Sequence, residues 1–122
     1  MQNLETKFKI DIKQKCYQSS LKIIAITDKL PNKRSAWIIT DQLIRSATSI
    51  GANLVEASAS ISRLEFKKFF EISLKSANET KYWLGLLKDT KLAKIEDIET
   101  LLAETDHIAN ILAKSIISLK KR

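Results

Sequence analysis

The sequence contains little glycine, proline or cysteine, and each shortage excludes a class of protein. Two glycines and one proline in 122 residues leave no place for a glycine-rich phosphate loop, a dinucleotide-binding fingerprint or a nucleophile elbow. Cys16 is the single cysteine, so an internal disulfide and a cysteine-based zinc site are excluded and a reducing compartment is the natural setting. We therefore expect an intracellular protein without these motifs.

Long apolar segments are also missing. The longest uninterrupted apolar runs, residues 23–26 and 36–39, hold four residues each, whereas a membrane-spanning helix needs about 20. The N-terminal residues alternate charged and apolar side chains, unlike the continuous apolar segment of a signal peptide. These absences predict a cytoplasmic protein with no membrane partner.

The chain is rich in helix-forming and basic residues. Leu, Ile, Ala, Lys and Glu are abundant, and hydrophobic residues make up 44% of the sequence, which is typical of one folded domain with its own core. The formal net charge is +7, which favours an anionic partner such as nucleic acid, an acidic protein or a membrane surface. Net charge alone does not choose among these partners.

Apolar residues recur at helical spacing in four segments, and no segment alternates with period two. We predict helices over about residues 8–29, from 36 to an end near 57–60, 63–87 and 95–119, with Pro31 ending the first. Helices of this length joined by short loops predict an all-α fold, an up-down-up-down antiparallel four-helix bundle formed by the whole chain as one domain.

Two helix starts carry capping signals. Ser35 is the expected N-cap of the second helix. Ser62 and Glu65 have the spacing of a capping box at the start of the third helix, and Ile61 is placed to pack on Phe66 as a hydrophobic staple.

The second predicted helix is unusually poor in charge. Residues 49–60, SIGANLVEASAS, carry one charged side chain, Glu56, in a chain that is 29% charged. Its polar face consists of Gln42, Arg45, Ser46, Ser49, Asn53, Glu56 and Ser60. Exposed faces normally carry Lys and Glu, so this face predicts burial against another subunit, with a partner for Glu56 from another helix or chain. The alternative is an exposed carboxylate on a serine-rich helix. Gly51 marks a close approach of another backbone.

Basic residues are concentrated in the first and third predicted helices. Residues 1–34 carry eight Lys/Arg against three Asp/Glu, and residues 62–88 carry six against three. These helices are diagonal in a bundle, so one monomer presents two separate basic flanks. Contact with nucleic-acid phosphates and a merely solubilising surface are the two interpretations. The candidate nucleic-acid-binding residues are Lys7, Lys9, Lys13, Lys15, Lys67, Lys68, Lys120, Lys121 and Arg122.

The single histidine, His107, gives little support to catalysis. Glu104 and His107 form one Glu-x-x-His pair, whereas a di-iron bundle needs two. Leu102 stands where an Arg-x-x-x-x-His motif of small helical ribonucleases has arginine. We expect no enzyme activity, no metal site and no cofactor.

Residues 42–88 contain three blocks of motif residues, namely Gln42, Leu43, Arg45, Ser49, Ile50, Asn53 and Glu56, then Ser62, Glu65, Phe66 and Phe69, then Ser76, Glu79, Tyr82 and Leu84. Through these blocks the segment resembles the bacterial four-helix-bundle proteins encoded within intervening sequences of 23S rRNA genes. Ser46, Ala57 and Phe70 depart from the pattern, which often has Ala, Gly and Leu there. Without that glycine the end of the second helix is not marked.

The resemblance implies a four-helix bundle. Through similarity to the basic accessory protein of diversity-generating retroelements, it also implies a homopentamer that associates with nucleic acid and a reverse transcriptase. Five chains would carry about +35, enough to join the two basic flanks. The motif residues expected at interfaces are Gln42, Arg45, Ser49, Asn53, Glu56, Glu79 and Tyr82. The alternative function is a protein-interaction module that does not bind nucleic acid.

Overall fold

The computed structural model describes the backbone of residues 4–120 and the side chains of residues 12–120. This part of the chain consists of four helices, α1 (Leu4–Thr27), α2 (Arg34–Ser58), α3 (Arg63–Asp89) and α4 (Ile95–Lys120). The prediction of four helices is confirmed, and residues 4–120 contain no strand.

The helices pack in a closed square. Contacts join α1 to α2, α2 to α3, α3 to α4 and α4 back to α1, and within the described residues the backbones of the diagonal pairs do not approach closely. Arg63, the first residue of α3, donates a hydrogen bond to the carbonyl of Leu119 near the end of α4 at 3.4 Å. Neighbouring helices therefore run antiparallel, which confirms the predicted four-helix bundle.

The core is formed by the apolar stripes of the four helices. The five apolar positions that repeat along α2 are all buried, namely Leu43, Ala47, Ile50, Leu54 and Ala57. Ile12, Cys16 and Ile23 complete the core from α1. Burial raises the pKa of the Cys16 thiol to about 12, so the reactive thiolate is scarce at neutral pH.

The start of α2 differs from the prediction. The N-cap is Lys33, whose extended backbone (φ −128°, ψ 149°) precedes the first helical residue, Arg34. The Lys33 carbonyl already accepts a hydrogen bond from Trp37 N at 3.1 Å, so Ser35 lies inside the first turn and the prediction that it is the N-cap is wrong. At the other end α2 stops at Ser58 without any left-handed residue.

The start of α3 confirms one prediction and contradicts another. Ser62 is the N-cap, and its hydroxyl accepts a hydrogen bond from the backbone N–H of Glu65 at 3.1 Å. Ile61 is 95% exposed, so it does not pack on Phe66 and the predicted hydrophobic staple is absent. The α2–α3 loop projects Ile61 into solvent instead.

Candidate functional site

A row of hydroxyl side chains fills the contact between α2 and α3. The Thr80 hydroxyl lies 3.0 Å from Ser46 Oγ, and Ser73 Oγ donates to the Ile50 carbonyl at 2.8 Å. Ser46, Ser73 and Thr80 are fully buried. Farther along the same contact, Ser76 Oγ lies 2.9 Å from Ser49 Oγ, and Asn53 Nδ2 donates to the Ser49 carbonyl at 2.8 Å. We call this row the polar seam.

The polar seam explains the low charge of α2. Ser46 and Ser49 meet hydroxyl groups of α3 in the same chain, whereas Asn53 is half-buried and bonds only to Ser49 of its own helix. Contact of the rest of this face with a second subunit stays a prediction. Within residues 12–120 every buried side-chain nitrogen or oxygen has a hydrogen-bond partner, so the seam carries no desolvation penalty. Glu56 lies beyond it, exposed and without an ion pair to any side chain in that range, so a partner from another chain stays a prediction.

Replacing Thr80 by valine tests the seam. Valine has nearly the same shape but removes the buried hydroxyl that reaches Ser46, and we expect a loss of about 1–2 kcal/mol in the free energy of unfolding. Thr100→Val is the matched control, since Thr100 is exposed and bonds only to the Glu96 carbonyl of its own helix at 3.0 Å. Urea unfolding measures both variants. Equal stabilities of the two would show that the seam contributes nothing.

A charged cluster closes the exposed edge of the seam. Arg45 pairs with Glu79 and also donates to Gln42 Oε1 at 2.9 Å, while Trp83 Nε1 donates to Glu79 at 2.8 Å. The hydrogen bond from Trp83, and after it the Arg45 guanidinium, hold the pKa of Glu79 below its usual value. Tyr82 is 61% exposed and meets the Trp83 ring edge-on. The structure thus brings together Gln42, Arg45 and Glu79, with Tyr82 beside them.

Large apolar side chains are exposed where α1 meets α2. Gly51 of α2 lies against Cys16 of α1, so the strip of α2 that contains Gly51 faces α1. The buried core stripe of α1 has one flank on each side. The flank that contains Lys22 faces α4, since Lys22 pairs with Glu104 at 2.6 Å. The opposite flank, which contains Tyr17 and Ile24, therefore adjoins α2. These strips hold Tyr17, Leu21, Ile24, Trp37, Ile44 and Val55, all exposed except the half-buried Ile44. We call them the α1–α2 face.

The net charge lies in one half of the bundle. Antiparallel packing places residues 12–16, 48–76 and 108–120 at the end where α3 begins and α4 stops, as the contacts Cys16–Gly51 and Arg63–Leu119 show. This half carries eight Lys/Arg and three Asp/Glu, a net charge of +5. Residues 17–47 and 77–107 form the other half, with nine Lys/Arg and nine Asp/Glu. We call them the basic half and the neutral half.

Ion pairing follows the same division. Four ion pairs occur among the described side chains, and all belong to the neutral half, namely Lys22–Glu104, Arg45–Glu79, Lys81–Asp106 and Lys88–Glu99. In the basic half none of the eight described Lys/Arg side chains has a carboxylate partner. These cations remain available to an external anion.

The predicted nucleic-acid-binding residues fall in the basic half as far as the structure describes them. Lys15, Lys68 and Lys120 are exposed, and Lys13 and Lys67 are half-buried. The side chains of Lys7 and Lys9, and the residues Lys121 and Arg122, lie outside the described part. The sequence did not single out Arg63, Lys75 and Lys114, which lie in the same half.

His107 lines a polar groove between α1 and α4 with a volume of about 400 Å³. Glu104 lines it too, but its carboxylate is engaged by Lys22 at 2.6 Å. No three of the His, Cys, Asp and Glu side chains in the described range converge as metal ligands, and no helix there is long and apolar enough to span a bilayer. The groove offers hydrogen bonds and charge but no activated nucleophile.

Comparison with known proteins agrees with this architecture. Residues 9–114 match the family model of the 23S rRNA-intervening sequence proteins. A crystal structure at 1.70 Å resolution, of a protein of unknown function from the S23 ribosomal protein family of Bacteroides thetaiotaomicron VPI-5482, superposes with a TM-score of 0.80. That chain is 35% identical, and the match covers 86% of this chain and 97% of that one. Among curated proteins none matches.

Proposed function

This chain belongs to the 23S rRNA-intervening sequence protein family, and from that premise we propose that it is a noncatalytic bundle that self-associates and binds RNA or DNA. Binding uses the phosphates of the nucleic acid, which meet the basic half. The bundle acts as an assembled homopentamer, in which each chain contributes one basic half to a shared surface.

The unpaired cations of the basic half carry this proposal. A net charge of +5 on one half of a small bundle, against zero on the other half, concentrates one sign, whereas a solubilising surface intersperses both signs. Lysines and arginines without carboxylate partners release the counterions of a phosphate backbone when they bind it. The two basic flanks predicted on α1 and α3 remain diagonal, but Lys13 and Lys15 of α1 lie at the same end of the bundle as Lys67, Lys68 and Lys75 of α3.

The α1–α2 face supports self-association. Tyr17 and Trp37 are 66% and 57% exposed, which corresponds to on the order of 200 Å² of apolar surface from these two side chains. Together with its four aliphatic residues, the face reaches the size of apolar patch that marks an interaction site. The named members are uncharged, and the charged residues one turn away, Lys13 beside Tyr17 and Asp41 beside Trp37, have opposite signs. We propose that this face packs against the next subunit.

Light scattering coupled to size exclusion tests both parts of the proposal. The protein is treated with nuclease, purified, and measured with and without added RNA at low and high salt. We expect a mass of about five 13.9 kDa chains, which increases with RNA at low salt and returns at high salt, since phosphate contacts weaken as salt rises. A monomer whose mass does not change with RNA would contradict the proposal. The alternative function, a protein-interaction module that does not bind nucleic acid, would then be favoured.

A further inference from the structure

Two exposed aliphatic side chains project from the end of the basic half. Ile61 in the α2–α3 loop is 95% exposed, and Leu64 in the first turn of α3 is 74% exposed. They are the two most exposed large hydrophobic residues in the described part of the chain. Water contact of both side chains is unfavourable, and no packing partner within the bundle offsets it. We call this pair the apolar tip.

Cations surround the apolar tip. Arg63 lies between its two members, and Lys67 and Lys68 follow within the next turn of α3, against one carboxylate, Glu65. Arg63 also reaches the Leu119 carbonyl at 3.4 Å, which brings the end of α4 and Lys120 to the same place. A partner that satisfies this surface must offer anionic groups beside an apolar layer.

We infer that the apolar tip inserts its aliphatic side chains at a base step of a nucleic-acid duplex whose phosphates are held by the surrounding lysines. This inference rests on the proposed function and adds the mode of contact. Duplex nucleic acid offers phosphates a few ångströms from the apolar faces of stacked bases, and Ile and Leu are among the side chains that partly unstack such steps.

The distribution of aromatic residues favours a duplex over a single strand. Single-strand binding surfaces stack bases on exposed aromatic rings among their cations. Among the described side chains, residues 12–120, the exposed rings are Tyr17 near the middle of the bundle and Trp37 and Tyr82 in the neutral half. Phe66, Phe69 and Phe70 of the basic half are buried or half-buried in the core.

The test uses a short RNA duplex that carries 2-aminopurine, whose fluorescence rises when it unstacks. Wild-type protein is expected to raise the fluorescence on binding. The double variant Ile61→Ser/Leu64→Ser is expected to bind about tenfold more weakly at every salt concentration, with an unchanged salt slope and no fluorescence increase, because it loses apolar contact and keeps all phosphate contacts. Ile61→Leu/Leu64→Ile should behave as wild type.

The control variant is Ile95→Ser, which removes a 49% exposed aliphatic side chain from the neutral half and should leave binding and fluorescence unchanged. If the double serine variant equals wild type in both readouts, the apolar tip does not contact the bases, although the proposed function stands. If wild type does not bind the duplex or other RNA, the proposed function itself fails. Tip-dependent binding to vesicles containing phosphatidylserine, with tip-independent duplex binding, overturns the inference in favour of an anionic membrane surface.

Discussion

Gly51→Leu lowers the free energy of unfolding by about 2 kcal/mol. Even a Cβ atom placed on Gly51 would lie 3.3 Å from Cys16 Cβ, a contact tighter than ordinary packing, and a leucine directs three further carbons at α1. Overpacking of this kind costs about 1–3 kcal/mol and sometimes more. The better helix propensity of leucine returns somewhat less than 1 kcal/mol, so the net effect is destabilising.

Gly85 provides the matched control. It lies inside α3, and a Cβ atom placed on it meets nothing within 4 Å. Gly85→Leu therefore gains helix propensity without overpacking and should raise the free energy of unfolding by about 0.5–1 kcal/mol. Urea unfolding of the two variants separates the effect of the Cys16 contact from the effect of removing a glycine.

The Cys16 thiol reports the same event without unfolding the protein. In wild type it is buried, and burial raises its pKa to about 12, so a thiol reagent at neutral pH should react slowly. In the Gly51→Leu variant the larger side chain displaces α1, which exposes the thiol and disturbs the neighbouring α1–α2 face. Faster labelling and a smaller assembly mass are therefore expected together. An unchanged melting temperature with an unchanged assembly mass would refute this account.

The close approach at Gly51 was readable from the sequence because glycine is costly inside a helix and needs a reason to be there. The same periodicity argument located the four helices and the buried stripe of α2. The sequence argument failed at the start of α2, because a serine at a plausible cap position does not determine which residue has the extended backbone of an N-cap. That residue is Lys33, which caps the helix without any side-chain hydrogen bond. The argument also failed at Ile61, because the staple spacing does not guarantee that the loop folds back.

The polar seam is only half visible in the sequence. Ser46, Ser49 and Asn53 stand out as an unusual face, yet Ser73 and Thr80 on α3 look like ordinary polar positions. A hydroxyl can be satisfied inside a helix contact when a second hydroxyl or a carbonyl lies opposite. Which helix lies opposite is a property of the packing, so the sequence alone does not show that α3 meets Ser46 and Ser49.

The axial division of charge is hidden for a related reason. Charges summed over each helix place the excess of positive charge on α1 and α3, because such a sum does not show at which end of a helix the charges lie. Antiparallel packing brings the start of α1 and α3 together with the end of α2 and α4. Lys114 and Lys120 of α4 therefore join Lys15 and Lys68, although α4 as a whole carries more acidic than basic residues.

Reversing the charge of one lysine on each basic flank lowers the affinity for RNA about 100-fold at low salt. Lys15 of α1 and Lys68 of α3 are exposed and have no carboxylate partner in the described part. Lys15→Glu/Lys68→Glu changes the charge of the basic half by −4, from +5 to +1. Each lost phosphate contact removes one released counterion, so the slope of log K against log salt should become shallower by about 2.

Lys29→Glu/Lys94→Glu is the control for net charge. Both lysines are exposed and lie in the neutral half without an ion pair among the described side chains, so this double variant has the same total charge as the first. If only long-range attraction by the whole molecule matters, both variants weaken binding equally. If the basic half contacts the phosphates directly, the control keeps the wild-type salt slope and loses far less affinity.

The two single variants decide whether the flanks act as one surface. Lys15 and Lys68 belong to diagonal helices, whose backbones do not approach closely within the described residues. If the duplex contacts only one flank, one of the two substitutions lowers the affinity and the other leaves it unchanged. A ligand that lies across the end of the bundle contacts both, and each single variant then loses about tenfold with nearly additive effects in the double variant. Fluorescence anisotropy titrations at several salt concentrations measure this. Loss confined to Lys15 would place the nucleic acid along α1 and remove the apolar tip from its path, whereas loss confined to Lys68 would keep it beside the tip.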